Sequence, residues 1–468
     1  MSRFRYPALG VFALAALAAC SDTPSSPAGT PLIPQMARNS TQADEVVPGE
    51  VLVKFRDGST GVMVARKYAS GIRYSGYRHA FEVLSAEPGQ ERALAAQLAQ
   101  DPNVEWAEPN YIRHVDAIDS RLWAFFNPGG LNMSFYNDPN GATGTIPASY
   151  ASKADADEDA IEGIGAGGAD VVIGSIDTGV DFSHPEFTGR LIKGCDWFTQ
   201  AAAGNSSATC GDFTPDDIAS EGHGTHTTGT MAGTTVGVAG VTGAAAHVKV
   251  FVQRVCGPPG CYTSAIANAI RAAADQPGMV AMNLSLGGTT ESSAEASAIS
   301  YAAGKGVLVI ASAGNSGTSK VGCPACDANA ISVAATNWQD ALASYSQYGK
   351  GLDISAPGGY CYSNTTEEGC IFSAIVAGYA AATGYREYTG PLAGGKYAYM
   401  LGTSMAAPQV TGAAAVVASK TGLRGSALRT RLQSTADDLG AAGYDTKFGN
   451  GRLNVYRAVT GSSLGAGL

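Results

Sequence analysis

The sequence is short of charge, and the charge that it has is mostly acidic. Only 15% of its 468 residues are charged, and 30 basic against 40 acidic residues give a formal net charge of −10. That balance, without a basic stripe along the chain, argues against nucleic acid as the main partner. The composition is 45% apolar with 60 glycines, which indicates a turn-rich globular protein with one large and one smaller domain.

An apolar run near the N-terminus is too short for an ordinary membrane span. It covers residues 6–19, follows Arg3 and Arg5, and ends in Leu-Ala-Ala-Cys. This ending resembles the lipobox of bacterial lipoproteins, which implies that Cys20 is lipidated and that any membrane attachment is through the lipid. The alternative is an ordinary signal peptide cleaved near Ala19. Both predict export.

Export affects how the cysteines are interpreted. Of the nine, eight remain once Cys20 is set aside, and they fall as neighbours in sequence: Cys195 and Cys210, Cys256 and Cys261, Cys323 and Cys326, Cys361 and Cys370. An oxidising compartment favours local disulfides, although eight cysteines allow 105 pairings. Zinc at Cys323 and Cys326 is the alternative, but no second ligand pair stands at a suitable spacing.

The pattern of apolar residues divides the chain into a small α+β unit and a larger α/β unit. In the small unit we expect strands at 51–55, 81–84 and 104–111 and a helix at 91–99. In the large unit, continuous apolar runs predict buried parallel strands at 170–176, 248–255, 280–284, 307–311 and 330–335. Helical segments at 264–274 and 292–303 lie between them, which indicates a mostly parallel sheet covered on both faces. In such sheets, sites form beyond the carboxyl ends of the strands.

Asp177 and His223 are the first candidates for chemistry. Asp177 directly follows the strand at 170–176, where a buried carboxylate needs partners; alone it would be a structural turn residue. His223 lies in Gly-His-Gly-Thr-His, and the glycine on each side would let another segment approach it. The His-x-x-His spacing also fits a metal pair, but no carboxylate ligand lies at helical spacing.

Ser404 and Asn315 also lie where elements meet turns. Ser404, in Gly-Thr-Ser-Met-Ala-Ala-Pro, precedes an apolar helix at 409–419, where a lone serine would be a helix cap. Pro408 is expected within the first helical turn. Asn315 follows the strand at 307–311 in a glycine turn, where its amide can donate to an oxyanion or simply turn the chain.

Taken together, these residues and their local sequences resemble the subtilisin-like serine peptidases, and among them the proteinase K group. Asp-Thr-Gly, His-Gly-Thr-His and Gly-Thr-Ser-Met-Ala-x-Pro occur here in the order Asp, His, Ser, which differs from other serine hydrolases. The resemblance implies a three-layer α/β fold with a mostly parallel central sheet, preceded by an inhibitory pro-domain of the inhibitor I9 type. It also implies a monomeric zymogen that processes itself near residues 115–120.

The resemblance assigns roles to the candidates. Ser404 would be the nucleophile, His223 the general base, and Asp177 the group that orients the imidazole, while Asn315 and the Ser404 N–H would bind the oxyanion. The implied substrate-binding surface comprises Ser285, Leu286, Gly287, Ala313 and Gly314. Pairing with a peptide backbone asks little of side chains, so we expect protein or peptide substrates and broad specificity.

No cofactor is needed for this chemistry, but the resemblance raises the question of calcium. Asp353 matches a position where the proteinase K group binds a structural calcium ion, with the carbonyls of Ala328 and Ala330 as further ligands. A structural turn aspartate is the alternative. Residues 359–398 are longer than usual for the family and are expected to be a disulfide-pinned surface insertion near the cleft.

Two other functions remain open at this stage, a catalytically silent binding module of the same fold and an esterase with the same triad. The predicted boundaries are 1–20 for a lipoprotein-type signal peptide, 21–45 for a tether, 46–118 for the pro-domain, 119–168 for the processing region and the start of the mature chain, 169–458 for the catalytic domain and 459–468 for a tail.

Overall fold

The computed structural model describes nine stretches of the chain, all within one compact unit: 46–56, 61–68, 70–115, 132–133, 144–145, 165–202, 214–337, 339–360 and 369–461. The predicted signal peptide with Cys20, the tether, most of the processing region and residues 462–468 lie outside them, as do Cys210 and Cys361.

The strands are β1 (Val46–Phe55), β2 (Ile72–Ser75), β3 (Glu82–Ser85), β4 (Val104–Val115), β5 (Asn132–Met133), β6 (Gly144–Thr145), β7 (Val171–Asp177), β8 (Leu191–Asp196), β9 (Val248–Arg254), β10 (Cys256–Gly257), β11 (Gly260–Tyr262), β12 (Met279–Leu284), β13 (Leu286–Gly287), β14 (Leu308–Ser312), β15 (Ala330–Thr336), β16 (Ile354–Pro357), β17 (Ile371–Ile375), β18 (Tyr388–Thr389) and β19 (Lys396–Met400). The α-helices are α1 (Gly61–Lys67), α2 (Glu91–Leu98), α3 (Trp197–Ala202), α4 (His223–Ala232), α5 (Val238–Val241), α6 (Thr263–Ala274), α7 (Ser293–Gly304), α8 (Tyr379–Thr383), α9 (Thr403–Thr421), α10 (Gly425–Ser434) and α11 (Val455–Thr460).

Seven parallel strands form the central sheet in the order β16-β15-β14-β12-β7-β9-β8. The five strands predicted from apolar runs are all present, and their ends shift by at most one residue. The prediction of a mostly parallel α/β sheet is therefore confirmed. The two edge strands, β8 and β16, were not predicted, because β8 is interrupted by the exposed Lys193 and β16 has only four residues.

A hydrophobic layer covers each face of this sheet. One joins the sheet to α4, α5, α9, α10 and α11, and the other joins it to α3, α6 and α7. Helix α9 is buried from Thr403 to Ser419, as its lack of a polar face predicts. The three-layer arrangement fixes the beginnings of α4 and α9 at one end of the sheet.

The small N-terminal unit is an antiparallel sheet, ordered β2-β3-β1-β4, with α1 and α2 packed on it. Its inner face has its own hydrophobic core, while Leu52, Tyr74, Phe81 and Val83 belong to the cluster around α6 and α7. Strand β4 runs on to Val115, four residues further than predicted, and there it pairs with strands of the large unit. The two units therefore share a continuous sheet.

The insertion predicted at 359–398 is only partly a surface feature. Strands β17, β19 and β18 form an antiparallel sheet, and Ile371, Ile375, Tyr379 and Ala398 are buried in a separate hydrophobic cluster. The prediction of a surface insertion is therefore corrected for β17 and β19, whose residues are mostly buried.

Two of the predicted local disulfides are present, Cys256–Cys261 and Cys323–Cys326. The second of these excludes a zinc site at those cysteines. Cys195 and Cys370 are also disulfide-bonded, while their predicted partners lie outside the described residues. None of the described helices combines the length and hydropathy needed to cross a bilayer.

Candidate active site

Asp177 ends β7 in a fully buried position and is held by three hydrogen bonds. Its Oδ1 accepts from His223 Nδ1 at 2.7 Å and from the Thr178 N–H at 2.7 Å. Its Oδ2 accepts from Thr227 Oγ1 at 3.2 Å. These donors meet the requirement for partners that a buried carboxylate imposes and hold the carboxylate beside the imidazole.

His223 is the first residue of α4, and the two glycines beside it are needed for close packing. A Cβ at Gly224 would lie 2.1 Å from the Gly179 carbonyl oxygen, and a Cβ at Gly222 would lie 2.5 Å from Ile375 Cδ1. Gly222 also has a φ of 64°, which favours glycine. The prediction that these glycines let other segments approach His223 is confirmed.

Ser404 lies in the first turn of α9 and is fully buried. The helix starts at Thr403, so Pro408 lies in the second turn and not in the first as predicted. Because proline has no N–H, the Ser404 carbonyl has no partner four residues on, and it accepts instead from Ser285 Oγ at 2.7 Å. The Ser404 hydroxyl in turn donates to the Ser285 carbonyl at 3.4 Å. Pro408 thereby lets the helix be joined to Ser285, which lies between β12 and β13.

Asn315 is oriented by the residue before the serine. Its Oδ1 accepts from both the N–H and the Oγ1 of Thr403, each at 2.9 Å. The amide oxygen is thus occupied, which leaves the Nδ2 group as the donor of this side chain. The structure brings Asn315 to the N-terminus of α9, beside Ser404.

Of the five predicted substrate-binding residues, Ser285 bonds to Ser404 as described above, and the other four fall into two kinds. Leu286 and Gly287 form β13, which pairs antiparallel with the end of β4, with Leu286 opposite Val115 and Gly287 opposite His114. Ala313 and Gly314 use their backbone within the fold, since Gly322 N–H donates to the Ala313 carbonyl and Gln347 N–H to the Gly314 carbonyl.

The other side of β4 pairs with β11, where Cys261 lies opposite Arg113 and Tyr262 opposite Ile112. The end of the small unit is therefore an extended strand between two strands of the large unit. It leads toward Ser285 and hence toward Ser404.

The sequence analysis did not identify Asp217, a residue that links two segments of the site through hydrogen bonds. Its Oδ1 accepts from Thr178 Oγ1 and the Gly222 N–H, and its Oδ2 from the N–H and Oγ1 of Thr225. It thus joins the turn after Asp177 to the first turn of α4. Burial, with the nearby Asp177 adding to the effect, raises its pKa to about 6. An acidic residue shortly before a helix is a known capping signal. Asp217 was not recognised as one because it lies several residues before His223, where the helix begins.

Glu221 is a second buried acid behind His223. Its side chain is 3% exposed, and its Oε2 lies 3.7 Å from Arg254 Nη2. Burial raises its pKa to about 8, and the neighbouring carboxylates of Asp217, Asp177 and Asp196 act in the same direction against Arg254. The folded protein therefore keeps a proton on Glu221 that the unfolded chain loses near pH 4.5.

This shift predicts a pH-dependent gain in stability for Glu221→Gln. Between about pH 4.5 and pH 8 the folded state binds more protons than the unfolded state, so Glu221 lowers the free energy of unfolding as the pH rises. Glutamine does not titrate, so the Tm of the variant should exceed that of its parent at pH 8, with a gap that shrinks toward pH 5. Thermal unfolding in a Ser404→Ala background avoids self-digestion, and Glu291→Gln, at an exposed position, is the control. A lower Tm for Glu221→Gln at pH 8 would contradict the argument.

The residues predicted to bind calcium do not fit that ion. Asp353 Oδ1 accepts from Arg429 Nη2 at 2.6 Å and from Gln433 Nε2 at 2.7 Å, and the Ala328 carbonyl accepts from Arg429 Nη1 at 3.0 Å. The guanidinium thus lies between the two oxygens that calcium would bridge, and two cations repel at that distance. The prediction of calcium at Asp353, Ala328 and Ala330 is corrected accordingly. Within the described residues there is also no cluster of three or more His, Cys, Asp or Glu side chains that would suit a metal.

Comparison with known proteins identifies two matching families and several similar proteins. The model of the subtilase family matches residues 168–451, and that of the fervidolysin N-terminal prodomain matches residues 34–110. A thermophilic serine proteinase of Bacillus sp. (strain AK1) is 32% identical over 424 residues, covering 88% of each chain. Thermitase of Thermoactinomyces vulgaris is 36% identical over 295 residues, which is 63% of this chain and 90% of thermitase.

A solved structure shares the fold. Fervidolysin from Fervidobacterium pennivorans, described as a keratinolytic enzyme related to subtilisin, superposes with a TM-score of 0.68 at 24% identity. The superposition covers 91% of this chain but 62% of fervidolysin. At this identity the likeness shows the fold alone.

Proposed function

The chain belongs to the subtilase family of serine endopeptidases, and on that premise we propose that Asp177, His223 and Ser404 are its catalytic triad and that it is made as a self-processing zymogen. The observation that supports this most is the end of β4. It lies as an extended strand between β11 and β13 and leads to the Ser285 carbonyl that accepts from the Ser404 hydroxyl. A peptide held in that way presents a carbonyl to Ser404.

The proposed mechanism follows from the hydrogen bond that His223 already makes. His223 Nδ1 is bonded to Asp177, which leaves Nε2 to take the proton from Ser404 Oγ as that oxygen attacks the peptide carbonyl. The Asn315 Nδ2 group and the Ser404 N–H would stabilise the oxyanion. His223 then passes the proton to the leaving amine, an acyl-enzyme remains on Ser404, and water releases it by the same steps.

The small unit suits the role of an intramolecular inhibitor. Buried Glu108 accepts from Ser292 Oγ at 2.6 Å, the Ser293 N–H at 2.6 Å and the Ala294 N–H at 2.9 Å. It thereby places a carboxylate at the N-terminus of α7, where negative charge is favoured. Asn110 accepts from the Ser264 N–H at the start of α6 at 2.9 Å. These contacts hold β4 in the cleft until it is cut.

Proteins and peptides of broad sequence are the substrates that the cleft suits. Strands β11 and β13 pair with β4 through its backbone, and such pairing is nearly independent of side chains. A simple ester offers no such backbone, so an esterase with the same triad is the weaker candidate.

We place the enzyme outside the cytoplasm and take it to be a monomer. Arg3, Arg5 and the apolar run at 6–19 support export, and Cys20 supports a lipid anchor on the uncleaved form. Processing would leave that lipid on the pro-domain and release the catalytic domain. The domain boundaries given above are part of this proposal, and the acidic balance makes nucleic acid an unsuitable partner.

The register of β4 predicts where the first cleavage occurs. Leu286 lies opposite Val115, so a strand continuing by one residue in the same antiparallel register would bring its next carbonyl opposite Ser285 and beside the proposed nucleophile. We therefore expect cleavage between Asp116 and Ala117. Intact mass and N-terminal sequencing of the first product should give a chain that starts at Ala117, and the Ser404→Ala protein should stay uncut. Processing of that variant, or a first cut outside 115–120, would overturn the proposal.

A further inference from the structure

The segment between β17 and β19, residues 376–395, is named the inserted segment, and it lies next to Gly222 and in one hydrophobic cluster with Met405. A Cβ at Gly222 would lie 3.1 Å from the Tyr379 ring, and Ile375 approaches the same position. Tyr379 and Ile375 share a hydrophobic cluster with Leu401 and Met405. The inserted segment therefore approaches the residue before the proposed base through Tyr379, and it shares a hydrophobic cluster with the residue after the proposed nucleophile.

Its supporting sheet is fastened to α4. His226 Nε2 lies 3.2 Å from the Ile371 carbonyl oxygen and 3.3 Å from that of Ala398. Burial, with His223 as a second cause, lowers the pKa of His226 to about 3, so the ring is neutral and its Nε2–H donates to both strands. Ser373 Oγ donates back to the His226 carbonyl at 2.9 Å. The sheet is thus held rigidly beside His223.

Further contacts stabilise the inserted segment, both internally and against Lys396 of β19. The Gly378 N–H donates to Glu387 Oε2 at 2.8 Å, and Glu387 forms an ion pair with Lys396 at 2.9 Å. The rings of Tyr379 and Tyr385 stack with centroids 6.2 Å apart. Tyr379 is buried, whereas Tyr385 is half-buried. An ordered aromatic surface therefore stands next to Gly222.

The direction of the substrate strand shows which part of a peptide this surface meets. Residues before the cleaved bond lie between β11 and β13, as β4 does, and the chain advances toward Ser404. Residues after the cleaved bond lie beyond Ser404, next to His223, because His223 must protonate the amine that leaves. The flanks of His223 and Ser404 therefore border the leaving-group side of the cleft.

We propose that the inserted segment forms a wall of the leaving-group side and that Tyr385 is a specificity-determining residue, favouring apolar or aromatic side chains just after the cleaved bond. The proposal rests on the proposed function and deepens it. Aromatic side chains bury a large area at small entropic cost and pair with other rings. A ring already stacked on Tyr379 needs little further ordering to make such a contact.

Two substrates that share the same acyl part test this proposal. One is a quenched fluorescent peptide with Gly-Gly after the cleaved bond, and the other carries Phe-Leu there. Tyr385→Ala should lower kcat/KM for the Phe-Leu peptide about 10-fold and leave that for the Gly-Gly peptide unchanged. A p-nitroanilide of the same acyl part, whose leaving group is itself aromatic, is kept as the acyl donor for the second measurement. Tyr385→Phe should match the parent on both peptides, and Tyr444→Ala, on a distant exposed tyrosine, is the control. Equal losses on both substrates, or a loss on neither, would overturn the proposal.

A second measurement needs no variant. The acyl-enzyme formed from the anilide is divided between water and added amines, here phenylalanine amide and glycine amide at equal concentration. The proposal predicts that the phenylalanine product prevails several-fold, and equal capture of the two amines would overturn it. If the parent enzyme does not hydrolyse even the anilide, the proposed function fails with it. Anilide hydrolysis without amine discrimination would sink this inference alone.

Discussion

Replacing Ser404 by alanine is expected to lower kcat for peptide hydrolysis by about 10⁶-fold, the loss found when the nucleophile of subtilisin is removed. Ser404 lies where the β4 register ends, because its Oγ donates to the carbonyl of Ser285, the residue before β13, and β13 pairs with β4. Residual hydrolysis should come only from binding and the oxyanion donors. Hydrolysis of a peptide anilide by the processed proteins, with the variant cut in trans by the parent enzyme, measures the loss.

The Ser404→Ala protein should keep its fold, which separates a chemical loss from a structural one. Ser404 is joined to its neighbours mainly through its carbonyl, which accepts from Ser285 Oγ and is retained in alanine. The Tm should therefore change little, and a His223→Ala, Ser404→Ala double variant should be no less active than either single one. A double variant that loses the product of the two single losses would show that the residues act independently.

Removing the Asn315 side chain is expected to cost about 100- to 1000-fold in kcat with little change in KM, because the oxyanion forms only after binding. Asn315 also has a structural contact, since its Oδ1 accepts from Thr403. Asn315→Ala removes both the donor and the acceptor. Initial rates over a range of peptide anilide concentrations give kcat and KM separately.

Asn315→Asp separates those two roles. The aspartate keeps an acceptor for the Thr403 N–H and Oγ1, but it has no amide donor and adds a negative charge near the oxyanion. If Asn315 donates to the transition state, the aspartate should lose at least as much kcat as the alanine. A mild effect of Asn315→Asp beside a severe effect of Asn315→Ala would mean that only the bonds to Thr403 matter.

The central sheet was predictable because each buried strand is marked by its own short run of apolar residues. A strand buried on both faces is mostly apolar, and β7, β9, β12, β14 and β15 each carry that signal within one short run, with Lys249 of β9 as an exposed exception. The same burial makes a polar residue at the end of a strand conspicuous, and this is how Asp177 and Asn315 were found. Edge strands carry no such signal.

The interactions that depend on distant residues were not predictable. Arg429 reaches Asp353 and Ala328 from α10, so a likeness to a calcium-binding position could not show that a guanidinium fills it. Asp217 accepts hydrogen bonds from Thr178, just after β7, and from Thr225, in α4. The three residues are far enough apart in sequence that no local pattern indicates these bonds. The boundary at Thr403 was also missed, because the helix tolerates Pro408 only through a bond that Ser285 supplies.

The most direct test of the account is covalent labelling of the processed enzyme with a fluorophosphonate, which reacts with activated serine hydroxyls. Peptide mapping by mass spectrometry should find one adduct per molecule, on Ser404, and His223→Ala should abolish labelling because the hydroxyl then has no base. An adduct on another serine, or equal labelling in the His223→Ala protein, would show that Ser404 is not a nucleophile activated by His223.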